Sequence, residues 1–339
     1  MVDCLSSHQK QRIFKWEAHT CLPLHRNASL EPLLRYHQAQ VSYVSINVGM
    51  DLNPLNQIIE TIAHFRQQLN SRSEFALVNR LEEIRENTAR GILSVGFDLE
   101  GAVPLLNNPE MIFLYKDLGV HQMHLAYNRN NMVAGGCHDP KPQGLSDLGR
   151  DIVQAMNNAG VIVDCSHMSK QTVLDVLKHS NTSPIFSHAN PSYLTPHQRN
   201  VDDHVLEALK ERQGVLCLNG VNLFLGQDIP TVPRFLDHLC YVVDKIGVES
   251  VGVGLDIGFE QPELDDSLDL QFDPEYWWPS MAGYHRGISQ IEYLPPETWS
   301  ILPQKLVNRG FNEEEVKLIL GENMARIFRQ VEDHAKLQH

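Results

Sequence analysis

Short apolar, β-branched runs recur along the chain, and nearly all of them stop on or just before a polar residue. They are IFKWEAH (13–19), VSYVSINVG (41–49), ILSVGFDLE (92–100), VHQMHLAY (120–127), VIVDCSH (161–167), PIFSH (184–188), VLCLNGV (215–221) and SVGVGLDI (250–257). Between them the apolar positions take helical spacing, as at Leu145, Leu148, Ile152 and Met156, or at Val205, Leu206 and Leu209 after the cap candidates Asp202 and Asp203. Strands alternating with helices predict a parallel sheet covered by helices. An open doubly wound sheet shows the same alternation, so the polar residues must decide. His19, Glu100, Tyr127, His167, His188 and Asp256 fall at or just past the ends of predicted strands, and a barrel gathers such ends around one mouth. The expected fold is therefore α/β, a (β/α)8 TIM barrel.

The chain of 339 residues suits a single barrel domain over 1–339. Residues 260–299, with FDPEYWWPS and YLPPETW, carry aromatic residues and prolines without a clear period. They read as an insertion after the eighth strand, serving as a flap over the mouth or as a dimer contact. The closing FNEEEVKLILGENMARIFRQVE reads as one or two helices, with Asn312 as N-cap before three glutamates.

A formal charge of −14, with no basic stripe, removes the electrostatic drive for nucleic-acid binding. No apolar run approaches the roughly 20 residues that span a bilayer, and MVDCLSSHQKQRIFKW lacks the apolar core of a secretion signal. Cys4, Cys21, Cys137, Cys165, Cys217 and Cys240 are scattered without a CxxC pair, as reduced thiols are. A soluble, cytoplasmic protein is the expectation.

The strand ends carry the candidate chemistry. His167 (DCSHMS) and His188 (FSHANP) end neighbouring strands, where two neutral imidazoles could share a zinc ion or each simply hydrogen-bond to its surroundings. Glu100 follows an apolar run, where a carboxylate needs either a cation or a barrel Arg or Lys. Asp98, two residues earlier, points the same way and could orient a ligand. His19 and Cys21 share one side of an extended segment; the thiol is a zinc ligand or a plain packing group. Asp256 could move a proton or hold the next loop, and Arg199 (HQRNVDD) could clamp a carboxylate or make a surface pair. His8, His25, His37, His121, His124, His138, His197 and His204 read for the most part as solvated.

Side by side, these segments resemble the membrane (renal) dipeptidase family of amidohydrolase-like barrel enzymes, from about Glu17 to Val331. LSDLGRDIVQAMNNAGVIVDCSHMS (145–169) is the most specific stretch, supported by PIFSHANP, HQRNVDD and LVNRGFNEEEVKLILGENMARIF. The resemblance implies two zinc ions bridged by Glu100, with His167 and His188 on one and His19 on the other. It implies further that Arg199 binds the terminal carboxylate of a dipeptide, that Asp256 is the catalytic carboxylate, and that the protein is a homodimer.

Three departures alter that picture. The family's N-terminal His-x-Asp-Leu-Pro reads His19-Thr20-Cys21-Leu22-Pro23 here, so a thiol stands at an aspartate ligand position and one or two ions are compatible with the sequence. The substrate-facing histidine after strand four is matched by Tyr127, a neutral hydrogen-bond donor to an oxyanion. Gly258 replaces a second aspartate, and Gly220-Val221 an aromatic pair. The implied activity is zinc-dependent hydrolysis of a dipeptide or similar small amide. Two alternatives stay open: a biosynthetic hydrolase of a narrow amide or cyclic substrate, and a barrel that kept binding and lost turnover.

Overall fold

A computed structural model describes residues 12–261, 272–284, 288 and 290–338. Cys4, His8 and, within the 260–299 stretch, residues 262–271, 285–287 and 289 lie outside the described residues. The strands are β1 (Trp16–Cys21), β2 (Tyr43–Met50), β3 (Phe75–Leu77), β4 (Leu93–Glu100), β5 (Val120–His124), β6 (Ile162–Asp164), β7 (Ile185–Ala189), β8 (Val215–Leu218), β9 (Val251–Val253) and β10 (Ile257–Gly258). All pair in parallel, in the order β10-β1-β2-β4-β5-β6-β7-β8-β9.

The two ends of that order are pieces of one apolar run. β9 pairs with β8 (Leu218↔Val253) and β10 with β1 (Thr20↔Ile257), so the run at 250–257 sews the ring shut. Between the pieces, the Gly254 amide donates to Leu218 O and the Asp256 amide to His19 O. Glu17 reinforces the seam from β1, accepting from the Leu255 amide (2.7 Å) and from Trp299 Nε1 (2.8 Å). The expected TIM barrel is the observed fold. β3 is the one described strand outside the eight expected runs; it flanks the first half of β4 (Phe75↔Leu93) before β5 takes that side (Phe97↔Val120).

Local sequence explains the cover of helices. Ser146 caps helix Asp147–Ala159 by accepting from the Gly149 amide, and Gly160 ends it at φ +68°. Asp202 caps helix Asp203–Glu211, and Asn312 with Glu315 forms a capping box before helix Glu313–Lys317. One core lies between sheet and helices. A second fills the N-terminal end of the barrel, where Trp16, Tyr43, Ile162, Ile185 and Val215 meet Met324 and Phe328 of helix Asn323–Lys336. Trp16 stacks on Tyr43 at 3.9 Å, and Phe328 lies 5.5 Å from Trp16.

With that end plugged by apolar groups, the polar strand ends are left at the opposite mouth. The described part of the 260–299 stretch packs on the rim of its own barrel. Trp278 and Tyr284 join Tyr127, Val221 and Phe224 in an aromatic cluster. Asn128 Nδ2 donates to Trp277 O (3.0 Å) and Arg129 Nε to Tyr276 O.

Candidate metal centre

The site is built from strand ends that local sequence bends inward. In β1, Glu17 pairs with Val44 and Thr20 with Ile46, so Ala18 and His19 together oppose Ser45 alone. That bulge re-aims His19 and, two residues on, Cys21 into the mouth. Cys21 Sγ lies 3.4 Å from His19 Nε2, as their spacing predicts. Ordinary alternation in β4 brings Asp98 and Glu100 to the same side, and both face His19. His167 (φ +67°) and Asp256 (φ +59°) are held in left-handed backbone, a strain of about 1 kcal/mol or more each that the surrounding structure must offset.

Four imidazoles converge on one carboxylate oxygen. His167 Nε2 lies 3.0 Å from Glu100 Oε1, His19 Nε2 3.5 Å, His188 Nε2 3.6 Å and His124 Nδ1 3.7 Å. His167 Nε2 and His188 Nε2 are 2.9 Å apart, and all four rings are buried. Their other nitrogens fix which atom carries a lone pair. Asn128 gives its Nδ2 to a carbonyl, so its Oδ1 must accept from His167 Nδ1 (2.8 Å) and leaves Nε2 unprotonated. His19 Nδ1 faces Asp98 Oδ1 at 3.1 Å, and His188 Nδ1 meets the adaptable Ser187 hydroxyl at 2.7 Å. With His188 in the same tautomer as His167, lone pairs point at one another and at a carboxylate, an arrangement that a cation satisfies. Imidazole, carboxylate and thiol are the donors zinc takes. His19, Cys21 and Asp256 form one group, and His19, Glu100 and His188 another, whose ligand atoms lie within 4.8 Å of each other.

The electrostatics agree. Burial, followed by the neighbouring imidazoles and Arg199, drives His167 and His188 well below the usual histidine range, which keeps them neutral. Burial alone would lower His19 too, but Asp98, Cys21 and Glu100 push it well above. These neighbours favour the protonated form of His19. Burial raises Glu100 to about 7 and the Cys21 thiol to about 12, and raises Asp256 above the ordinary carboxylate range.

Asp256 Oδ1 is 3.7 Å from His19 Nε2, while Oδ2 accepts from Asn219 Nδ2 (2.8 Å). The Tyr127 ring stacks on His167 at 4.3 Å, and its hydroxyl accepts from Trp278 Nε1 (3.0 Å). Arg199 is 4% exposed and borders a small cleft beside His167; its Nε and Nη2 have no partner among the described residues. A side chain at Gly258 would run into the Tyr293 hydroxyl, and Val221 is buried in the aromatic cluster, so the two reshaped positions are filled by this chain's own aromatics.

The reading of the remaining histidines as solvated needs correction. His121, His124 and His138 are buried, because the first two lie within β5 in the barrel wall and the third is clamped between Gln198 Oε1 (2.6 Å) and Tyr284 Oη (3.2 Å). Among the other described members, His204 alone is exposed. Sequence reasoning also missed Asn128, Asp164 and Asn219. For His124 the available signal was its alternation with Gln122 within the run 120–127. Asp51 escaped it too: its carboxylate accepts from the Val103 and Tyr127 amides and from Asn131 Nδ2, tying the loops behind Glu100 and Tyr127 together.

The chain is similar to several known proteins. The profile described as membrane dipeptidase (peptidase family M19) matches residues 25–271. The protein named dipeptidase tcpJ of Claviceps purpurea is 30% identical over 286 residues, 83% of this chain and 61% of that protein. The chain spans about 60% of the length of the curated relatives it matches. An amidohydrolase of Pseudomonas aeruginosa shares the fold with a TM-score of 0.82 at 22% identity, over 94% of this chain and 96% of that one. A metallopeptidase of Rhodobacter sphaeroides, solved with a phosphinate mimic of the dipeptide L-Ala-D-Ala, gives 0.75 at 18% identity over 94% and 99%. From the barrel, the residues at its mouth and the profile match together, the chain belongs to the membrane dipeptidase family of hydrolases, peptidase family M19.

Proposed function

We propose that the protein hydrolyses dipeptides or similar small amides with the help of one or two zinc ions. The observation that carries this reading is the convergence of imidazole nitrogens on Glu100 Oε1 at 3.0–3.7 Å in a buried mouth. His19 and Cys21 would hold one ion and His167 and His188 the other, with Glu100 between them. Zinc bound there supplies Lewis acidity that polarises a carbonyl and brings a water's pKa toward neutrality. Asp256, pinned through Oδ2, would take the attacking water's proton and deliver it to the amine released when the C–N bond breaks. Arg199 would pair Nε and Nη2, which have no partner among the described residues, with the substrate's terminal carboxylate. The Tyr127 hydroxyl, whose own proton is not used by Trp278, would donate to the developing oxyanion.

Assay of zinc-loaded protein against a dipeptide panel that includes L-Ala-D-Ala tests the proposal, and silence across the panel with metal bound would defeat it. The Trp278–Tyr127 bond and the Tyr293 hydroxyl beside Gly258 favour a second reading, a narrower amide or cyclic substrate. In that case the panel is poor and a bulkier or cyclic amide is turned over. Residues 1–339 as one catalytic unit, a homodimer and a cytoplasmic setting belong to the same proposal. The five described cysteines are free, which supports the reducing environment. Among the described residues, no helix is long and apolar enough to cross a membrane.

A further inference from the structure

We propose that His124 is a fourth imidazole ligand of this centre, acting through Nδ1; the inference rests on the metal-centre reading above. The three anticipated imidazoles share one build. Each turns an inner nitrogen toward Glu100 Oε1 and has its outer nitrogen met by a wall oxygen: Asp98 Oδ1 for His19 (3.1 Å), Asn128 Oδ1 for His167 (2.8 Å) and Ser187 Oγ for His188 (2.7 Å). His124 repeats both halves. Its Nδ1 lies 3.7 Å from Glu100 Oε1, and its Nε2 lies 2.8 Å from Asp164 Oδ2.

Asp164 is equipped only to accept. Its Oδ1 already takes the Ser166 and Ser187 amides (3.1 and 3.0 Å), and its Oδ2 has Gln122 Nε2 no closer than 3.5 Å, which leaves His124 Nε2 as its nearest donor. The Nε2 proton therefore belongs to His124 and the Nδ1 lone pair faces the centre, where it is buried and has no partner among the described residues. A carboxylate on the outer nitrogen is how proteins commonly orient imidazoles that bind metal. The ring sits 5.4 Å from those of His167 and His188 and 6.1 Å from that of His19, inside the same cluster. An added imidazole also suits a centre in which the thiol of Cys21 stands at a carboxylate position.

The geometry supplies its own label, since His19, His167 and His188 offer Nε2 and His124 offers Nδ1. Protein with 15N-histidine, loaded with 113Cd alone, should show a nitrogen–cadmium coupling at one imidazole Nδ1 beside couplings at Nε2. His124→Gln should lose the Nδ1 coupling, keep the others and bind cadmium 10–100-fold more weakly in chelator competition. Couplings confined to Nε2 overturn the inference and leave the metal centre standing, as does unchanged affinity in the variant. Protein that takes up no cadmium in excess overturns both. The wild-type spectrum decides the matter even if the variant does not fold.

Discussion

Arg199→Met should weaken catalysis and strengthen the fold at the same time. Arg199 is 4% exposed, its Nε and Nη2 find no partner among the described residues, and the guanidinium carbon lies 5.5 Å from the centre of the Phe224 ring. Leaving two buried donors unpaired costs about 1–3 kcal/mol each, and Met keeps most of the packed length without them, so a net gain of about 2 kcal/mol is expected. For a chain of this size that raises Tm by roughly 3 °C. The same donors are the groups a substrate carboxylate would meet, and charge-assisted bonds contribute about 1.5–3 kcal/mol each. Losing them should cut kcat/KM about 100-fold or more, chiefly through KM. Differential scanning fluorimetry on protein without substrate gives the first quantity, and steady-state kinetics with a dipeptide and its C-terminal amide gives the second. The amide should already be poor with native protein and lose little more in the variant. A lower Tm, or equal losses for acid and amide, would refute the reasoning.

Asp256→Asn keeps the Asn219 contact within reach but cannot carry a proton; kcat should fall by about 10²–10⁴ with metal content unchanged by elemental analysis. Cys21→Asp should retain metal while the near-ultraviolet thiolate band of cobalt-loaded protein disappears, and a gain in dipeptide turnover would mark drift of the native chain toward another substrate. Glu17 is raised from 4.5 to about 8 by burial, against the donors Trp299 and Leu255. A carboxyl raised in the folded state contributes stability that is full below its unfolded value and is lost as pH rises through the folded one. Metal-free protein should therefore lose Tm between about pH 5 and pH 9, more steeply than Glu17→Gln does, as melts across that range would record.

Much of the fold was legible because barrel strands buried on both faces read as apolar runs, and all eight expected runs contain a strand. β3 was not, since FAL is too short to stand out and owes its form to the edge of β4. Asp98 and Glu100 could be paired from alternation alone, and His19 with Cys21 likewise. His124 was read as solvated although it lies inside an expected strand, because no partner stands near it along the chain; Asp164 and Glu100 reach it only across the closed ring. The inward turn of His19 depends on a bulge that pairing with β2 creates, and the lack of partners for Arg199 Nε and Nη2 among the described residues depends on what surrounds them. Such facts belong to three-dimensional neighbours, so a linear reading had no purchase on them.

The plug formed by helix Asn323–Lys336 bears on how the molecule is made. A nascent chain emerging from the ribosome has His19 outside early and Asp256 late, yet even with both exposed the ring still presents Trp16 and Tyr43 at an unstoppered end. Domains complete themselves as they leave the tunnel, and exposed apolar surface in the interval invites chaperones and self-association. Stalling synthesis before Met324 should thus yield a chaperone-bound intermediate that already holds every residue of the centre, and extending the chain through helix Asn323–Lys336 should release it.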